Sequence, residues 1–148
     1  MASFRYSYQK IVDLKTSEKT QAEWLLSSAI GVLQAEELTL SELRGKREEW
    51  ELKQLGASEQ AVSLAELQIM QHYIDYLDAC IERKLGDIRR AQHKVDQNRS
   101  LLADRMKDEK VWMKAKEHAH DRFRQVMQHR EQNELDEMAT VRFAATGP

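Results

Sequence analysis

Five histidines, one cysteine and a dense population of carboxylates are the residues of this chain that could build a reactive site. Their spacing argues against one. His118 and His120 stand two apart, which turns their rings to different sides of a helix, whereas a chelating pair needs three or four. His72, His93 and His129 are scattered, and no cysteine–histidine metal spacing occurs. Nor does the chain contain an HExxH, a P-loop glycine pattern or a GxSxG elbow. The histidines read as solvated surface groups and the Glu and Asp residues as a solvated face. The expectation is a non-enzymatic protein with no catalytic residues, no metal and no cofactor.

Bulk properties narrow the class. Charged residues make up 32% of the 148, aromatics only 7%, and the single proline is Pro148. Turns draw on Gly, Pro, Asn and Asp, so a chain this poor in breakers is expected to be long helix. A net charge of −2 gives no excess that points to nucleic acid or an anionic membrane. No apolar run approaches the roughly 20 residues that span a bilayer. Met1-Ala2-Ser3-Phe4-Arg5 lacks the apolar core of a secretion signal. Cys80 is alone, which excludes an internal disulfide and fits a reducing compartment. The reading is one domain in the cytoplasm.

The elements that must position any functional surface are two heptad helices. Stepping alternately three and four residues from Leu67 passes Met70, Ile74, Leu77, Ile81, Lys84, Ile88, Ala91, Val95, Asn98, Leu102, Arg105, Glu109, Trp112, Lys116, Ala119, Phe123 and Val126. Most of these are apolar, and an average spacing of about 3.5 is the signature of a coiled coil. A less regular seam precedes it: Phe4, Tyr8, Ile11, Lys15, Glu18, Ala22, Leu25, Ala29, Val32, Glu36, Thr39, Leu43, Lys46 and Trp50. Between them, Gly56 can take the left-handed conformation that ends a helix, with Ser58 capping the next. Ser63-Leu64-Ala65-Glu66 offers a second start with capping-box spacing. Gly45 and Gly86 interrupt helical sequence without changing the seam's phase and are kept inside helices.

This predicts an all-α fold, a long antiparallel two-helix coiled-coil hairpin in one domain. Helix 1 covers about residues 4–54, the turn about 55–62, helix 2 about 63–140 and a tail 141–148. Folding back places Phe4 opposite about residue 110, near Trp112 and Met106. Helix 2 then overhangs by about 25 to 30 residues, and an unpaired helix is marginal alone. Polar residues within the seams are read as setting register and partner choice.

Two apolar lines fall outside the seams. Ile69, Tyr73, Tyr76 and Cys80 run along helix 2, and Leu26, Ile30, Leu33 and Leu40 along helix 1. They either broaden the interhelical contact or form a protein-binding surface, for which tyrosine is well suited. Near the C-terminus Lys114, Lys116, Arg122, Arg124 and Arg130 are followed by Glu131, Glu134, Asp136 and Glu137. Acidic groups at a helix end oppose its dipole, so this segment is read as a fraying tail or as a site for a charged partner.

Three stretches resemble the FliJ family of bacterial flagellar type III export proteins. They are Phe4-Arg5-Tyr6 leading into Gln9-Lys10-Ile11-Val12-Asp13-Leu14-Lys15, with Glu18-Lys19 and Gln21-Ala22 beyond; Tyr73-Ile74-Asp75-Tyr76-Leu77; and Glu134-Leu135-Asp136-Glu137-Met138-Ala139 followed by Arg142. The resemblance covers nearly the whole chain. It implies a stalk-like adaptor that binds and stimulates the hexameric export ATPase, couples it to the large cytoplasmic subunit of the export gate and escorts substrate chaperones. It also implies a location at the inner face of the membrane, held there through partners. Carried onto this chain, the ring-facing set is Phe4, Tyr8, Ile11, Arg122, Phe123, Arg124, Arg130, Glu134, Asp136 and Glu137. The gate-facing set is Ile69, Tyr73, Tyr76 and Cys80, with Leu33 and Leu40 from helix 1. The alternatives are the equivalent stalk of a virulence secretion system, and a homodimeric scaffold or holding chaperone without an ATPase partner.

Overall fold

The computed structural model describes residues 3–146 and consists of two helices joined by a five-residue turn. Helix α1 runs Gln9–Ser58 and α2 runs Leu64–Thr146. Gly147 and Pro148, the end of the expected tail, lie outside the described residues, as do Met1 and Ala2. The fold is the expected antiparallel helical hairpin. Its contacts fall into two compact units, a central one of Gln21–Ala103 and a terminal one made from the chain up to Thr20 and from Asp104 onward.

In the central unit the antiparallel sense is read from cross-helix pairs. Leu25 faces Asn98, Glu36 faces Lys84, Arg47 faces Asp78 and Gln54 faces Gln71. Numbers rise on α1 as they fall on α2. Ala22, Ala29 and Leu40 are buried from α1, and Ile74, Leu77, Ala91 and Val95 from α2. Leu77 and Val95 are the most completely enclosed, at 2% and 1% exposure. Burying such a side chain contributes about 1.5–3 kcal/mol. Because only two helices meet, each residue on this line has no second layer behind it.

The α2 seam is as its spacing predicts: every position from Leu67 to Phe123 is buried or half-buried. The α1 seam differs between Ala22 and Leu43. Leu25 and Val32 are exposed, at 45% and 53%, and the line facing α2 passes through Leu26, Ala29, Leu33 and Leu40 instead. The second apolar line of α1 is therefore the interhelical one. Leu40, proposed from sequence for an export-gate surface, is 8% exposed and is spent on the core.

The turn also differs. Among the described residues no glycine has a positive φ, so Gly56 does not end α1 by a left-handed step. The helix continues through it to Ser58, whose hydroxyl donates to the Leu55 carbonyl at 2.7 Å and so caps the C-terminus rather than starting α2. The start of α2 is the capping site at Ser63, whose Oγ accepts from the Glu66 amide at 3.3 Å. Gly45 and Gly86 lie within continuous helix.

At the other end, residues 3–8 are not helical. Tyr6 and Tyr8 carbonyls accept from Gln9, Ile11 and Val12, and α1 begins there instead of at Phe4. Non-helical chain advances by about 3.3 Å per residue against 1.5 Å in a helix, so the segment reaches further along α2.

Replacing Leu77 with Ala is expected to cost about 2–5 kcal/mol, measured by denaturant unfolding. Gly56→Ala is expected to stabilise by up to about 1 kcal/mol, because its backbone is helical and an added Cβ meets nothing within 4 Å. Destabilisation by that change would mean that Gly56 adopts the left-handed conformation.

Candidate functional site

Long charged side chains set the register of the seam before any docking surface is considered. In the central unit the Lys84 ammonium lies 2.7 Å from Glu36 Oε2 and 3.4 Å from Asp87 Oδ2. Hydrogen bonding to Glu36 holds the Lys84 amine above its ordinary value. Asn98, buried within the seam, donates its amide to the Leu25 carbonyl at 3.3 Å. Arg47 bridges to Asp78, which raises the guanidinium further. In the terminal unit Lys19 donates to Glu109 Oε1 at 3.0 Å. Bonds from Lys19 and then Thr16 hold the Glu109 carboxyl below its ordinary value. Glu18 Oε2 lies between Lys15 at 3.6 Å and Arg105 at 3.5 Å. It makes no hydrogen bond there, so its contact is ionic alone. Lys84, Asn98, Arg105 and Glu109, read from sequence as interruptions, all find a partner on α1.

The gate-facing set divides in two. Ile69 and Tyr76 project from α2 at 67% and 58% exposure. Tyr73 is half-buried because its ring packs on Trp50 with centroids 4.7 Å apart, and Trp50 in turn carries Lys53 Nζ at 4.8 Å. Cys80 is half-buried and accepts from Arg83 at 3.4 Å, while the thiol pushes the Tyr76 phenol up. Leu33 is half-buried on the other helix. The accessible docking face is thus Ile69 and Tyr76, with Tyr73 behind them as support. The Trp50–Tyr73 contact was open to inference, since Trp50 closes the first seam and Tyr73 lies beside the start of the second.

The terminal unit gathers aromatics from the non-helical segment onto α2. Phe4 meets His120 edge-on at 4.8 Å and Phe123 at 5.5 Å, while Tyr8 meets Trp112 at 6.0 Å. Phe4 therefore reaches ten or more residues beyond the expected neighbourhood of residue 110, Trp112 and Met106. Ala119 and Phe123, expected to be unpartnered, are half-buried. The extended start of the chain is the cause. Ile11 is half-buried and its neighbour Val12 buried, at 3%. His118 is turned to a shallow groove that also involves Arg5, Tyr6, Trp112 and Arg122.

From Gln128 to Thr146, α2 is exposed at every residue. Arg124 pairs with Asp121 at 3.6 Å, and Arg122, Arg130, Glu134, Asp136 and Glu137 all face solvent. The sequence reading of this segment weighed its charges and missed its apolar side chains. Leu135, Met138, Val141 and Phe143 are 60%, 58%, 67% and 80% exposed. The three-residue spacing of Leu135, Met138 and Val141 was the available signal. The helix also runs to Thr146 rather than to about 140.

No three His, Cys, Asp or Glu side chains among the described residues cluster as metal ligands. No helix among them is long and apolar enough to cross a membrane. What the geometry offers is surface for recognition: an aliphatic and aromatic face on α2 in the central unit, and an unpartnered helix end in the terminal one.

A two-helix antiparallel hairpin with one such end is the architecture of an interaction stalk. The model of the family described as flagellar FliJ protein matches residues 4–147, and the chain belongs to that family. The family supplies a non-enzymatic component of type III protein export. Among solved structures the chain is similar to that of CT670 of Chlamydia trachomatis, described as a YscO homolog, at a TM-score of 0.60 and 16% identity, with 97% of each chain covered. At that identity the likeness speaks for the fold. No curated protein sequence matches the chain.

The lowered Glu109 value has a consequence for stability. A carboxylate held below its ordinary value stabilises the folded chain above that value and ceases to do so as pH falls through the lowered one. Below about pH 4.5 the protein is expected to lose melting temperature, with Glu109→Gln showing a smaller drop over the same range. An identical acid loss in both proteins would show that the Lys19 pair does not contribute.

Proposed function

We propose that this chain is the stalk-like adaptor of a flagellar export apparatus, acting by binding rather than by catalysis. The end bearing Phe4, Tyr8 and the last turns of α2 enters the ring of the export ATPase and stimulates it. The face of Ile69 and Tyr76 meets the large subunit of the export gate. Substrate chaperones are handed on through the same protein, which works in the cytoplasm against the membrane's inner face, held there by its partners.

One observation supports this reading above the others: α2 continues from Gln128 to Thr146 with no residue covered and four large apolar side chains exposed. A lone helix gains little from its own hydrogen bonds, and most helical stability comes from packing of an apolar face. Retaining Leu135, Met138, Val141 and Phe143 on such a segment makes physical sense when another protein encloses it. A ring pore can surround a single helix. Basic groups at Arg122, Arg124 and Arg130 followed by acidic ones at Glu134, Asp136 and Glu137 would then fix its depth and orientation, since charge complementarity governs specificity more than affinity.

Truncation after Val126 is expected to abolish stimulation of a rotary-type export ATPase while the melting of the remaining chain holds. Full stimulation by the truncated protein would overturn the ring assignment. For the gate, the double variant Ile69→Ser with Tyr76→Ala removes exposed side chains only and should leave the melt unchanged. Binding to the gate's cytoplasmic domain is expected to weaken at least about tenfold, as loss of a buried tyrosine anchor does. Undiminished binding would remove this face from the interaction.

A further inference from the structure

A second face of α1, within the central unit, is built to be covered and is not. The side of α1 that meets α2 carries Ala22, Ala29 and Leu40. Stepping by four and three from Trp24 leads along the opposite side through Ser28, Gly31, Ala35 and Leu38. Trp24 is 74% exposed and Leu38 63%. Between them lies a small-residue hollow, and at its centre a Cβ built on Gly31 meets nothing within 4 Å. Leu25 and Val32 border it on one side, also exposed. A helix apolar all round belongs inside something larger. Here two helices supply only one of the two covers.

The charges around this face identify the occupant. From Gln21 to Leu43 the chain has no Lys or Arg, and its ionisable residues are Glu23, Glu36, Glu37 and Glu42. Glu36 is taken by Lys84. Glu23, Glu37 and Glu42 are exposed and have no ion pair among the described residues. A second copy of α1 would bring the same acidic edges against themselves, which like-charge repulsion opposes.

We infer that the outer face of α1 between Trp24 and Leu38 docks a partner helix with a narrow ridge of small and aliphatic side chains and Lys or Arg along its edges. The ridge enters the hollow over Gly31, Trp24 and Leu38 close on it from either end, and the basic edges meet Glu23, Glu37 and Glu42. Trp is the side chain most enriched at the centres of such contacts. The face spans about 30 Å, enough for some 20 residues of partner helix. This surface lies on α1, apart from Ile69 and Tyr76 on α2, and does not depend on the ATPase or gate assignments.

The test uses full-length protein labelled with fluorotryptophan, whose ¹⁹F spectrum separates Trp24 from Trp50 and Trp112. The probe is a designed peptide of about 20 residues with an Ala/Leu ridge and Lys edges; the control keeps the ridge and replaces Lys by Glu. The Lys peptide is expected to shift the Trp24 signal saturably, leave Trp50 and Trp112 in place, and bind at least about threefold more weakly when salt is raised to screen the edges. The Glu peptide should give no shift. Trp24→Ser with Leu38→Ser should abolish binding of the dye-labelled Lys peptide while its circular dichroism melt matches that of the wild type. Absence of a saturable Trp24 shift overturns the inference, as does equal binding of the Glu peptide. So does a Trp24 shift that tracks protein concentration alone, which would assign the face to a second copy.

Discussion

Everything in this molecule follows from the fact that two helices share a single line of contact. A bundle of three or four helices can bury several stripes of each member; a pair can bury one. The line runs through Ala22, Ala29 and Leu40 of α1 and through Ile74, Leu77, Ala91 and Val95 of α2 in the central unit. Where the line carries a polar residue, a partner stands across from it. Lys84 meets Glu36 and Asn98 meets the Leu25 carbonyl there, as Glu109 meets Lys19 in the terminal unit. Apolar contact supplies the stability, and these pairs add a penalty for sliding along it, because a shift of one turn would leave each partly covered polar group unpartnered.

That same restriction turns surplus apolar residues into information. Ile69 and Tyr76 on α2, Trp24 and Leu38 on α1, and Leu135, Met138 and Val141 near the end of α2 cannot be covered by the hairpin's own line. In a larger fold, scattered exposed hydrophobic residues need no explanation. In a chain that is 32% charged, apolar side chains repeated at helical spacing on an uncovered face are a different matter. They mark where the pair is incomplete without a partner.

How much of this was legible in the sequence depended on how one-sided each helix is. The α2 line could be read to the residue, because apolar side chains keep a strict heptad and charges fill most of the remainder. On α1 the fold was legible but the facing side was not. Leu25 and Val32 form one acceptable line and Leu26, Leu33 and Leu40 another, and periodicity alone cannot say which meets α2. The ambiguity is physical, since α1 is apolar on both sides between Gln21 and Leu43. The turn was misplaced for a related reason. Gly56 permits a left-handed stop but does not require one, and with nothing crowding it the helix runs on until Ser58 caps it. The reach of Phe4 to Phe123 was hidden because spacing arguments assume helical rise, and residues 3–8 are not helical.

Backbone hydrogen exchange, in isolation and with the export ATPase hexamer added, tests the central claim that the helical pairing ends near Phe123 and the rest of α2 is completed by a partner. Amides around Leu77 and Val95 should exchange slowly in both states. Amides from Gln128 to Thr146 should exchange quickly alone, as expected of unpacked helix, and become protected with the hexamer. Slow exchange of that segment in the isolated chain, or no protection on adding the ATPase, would contradict it.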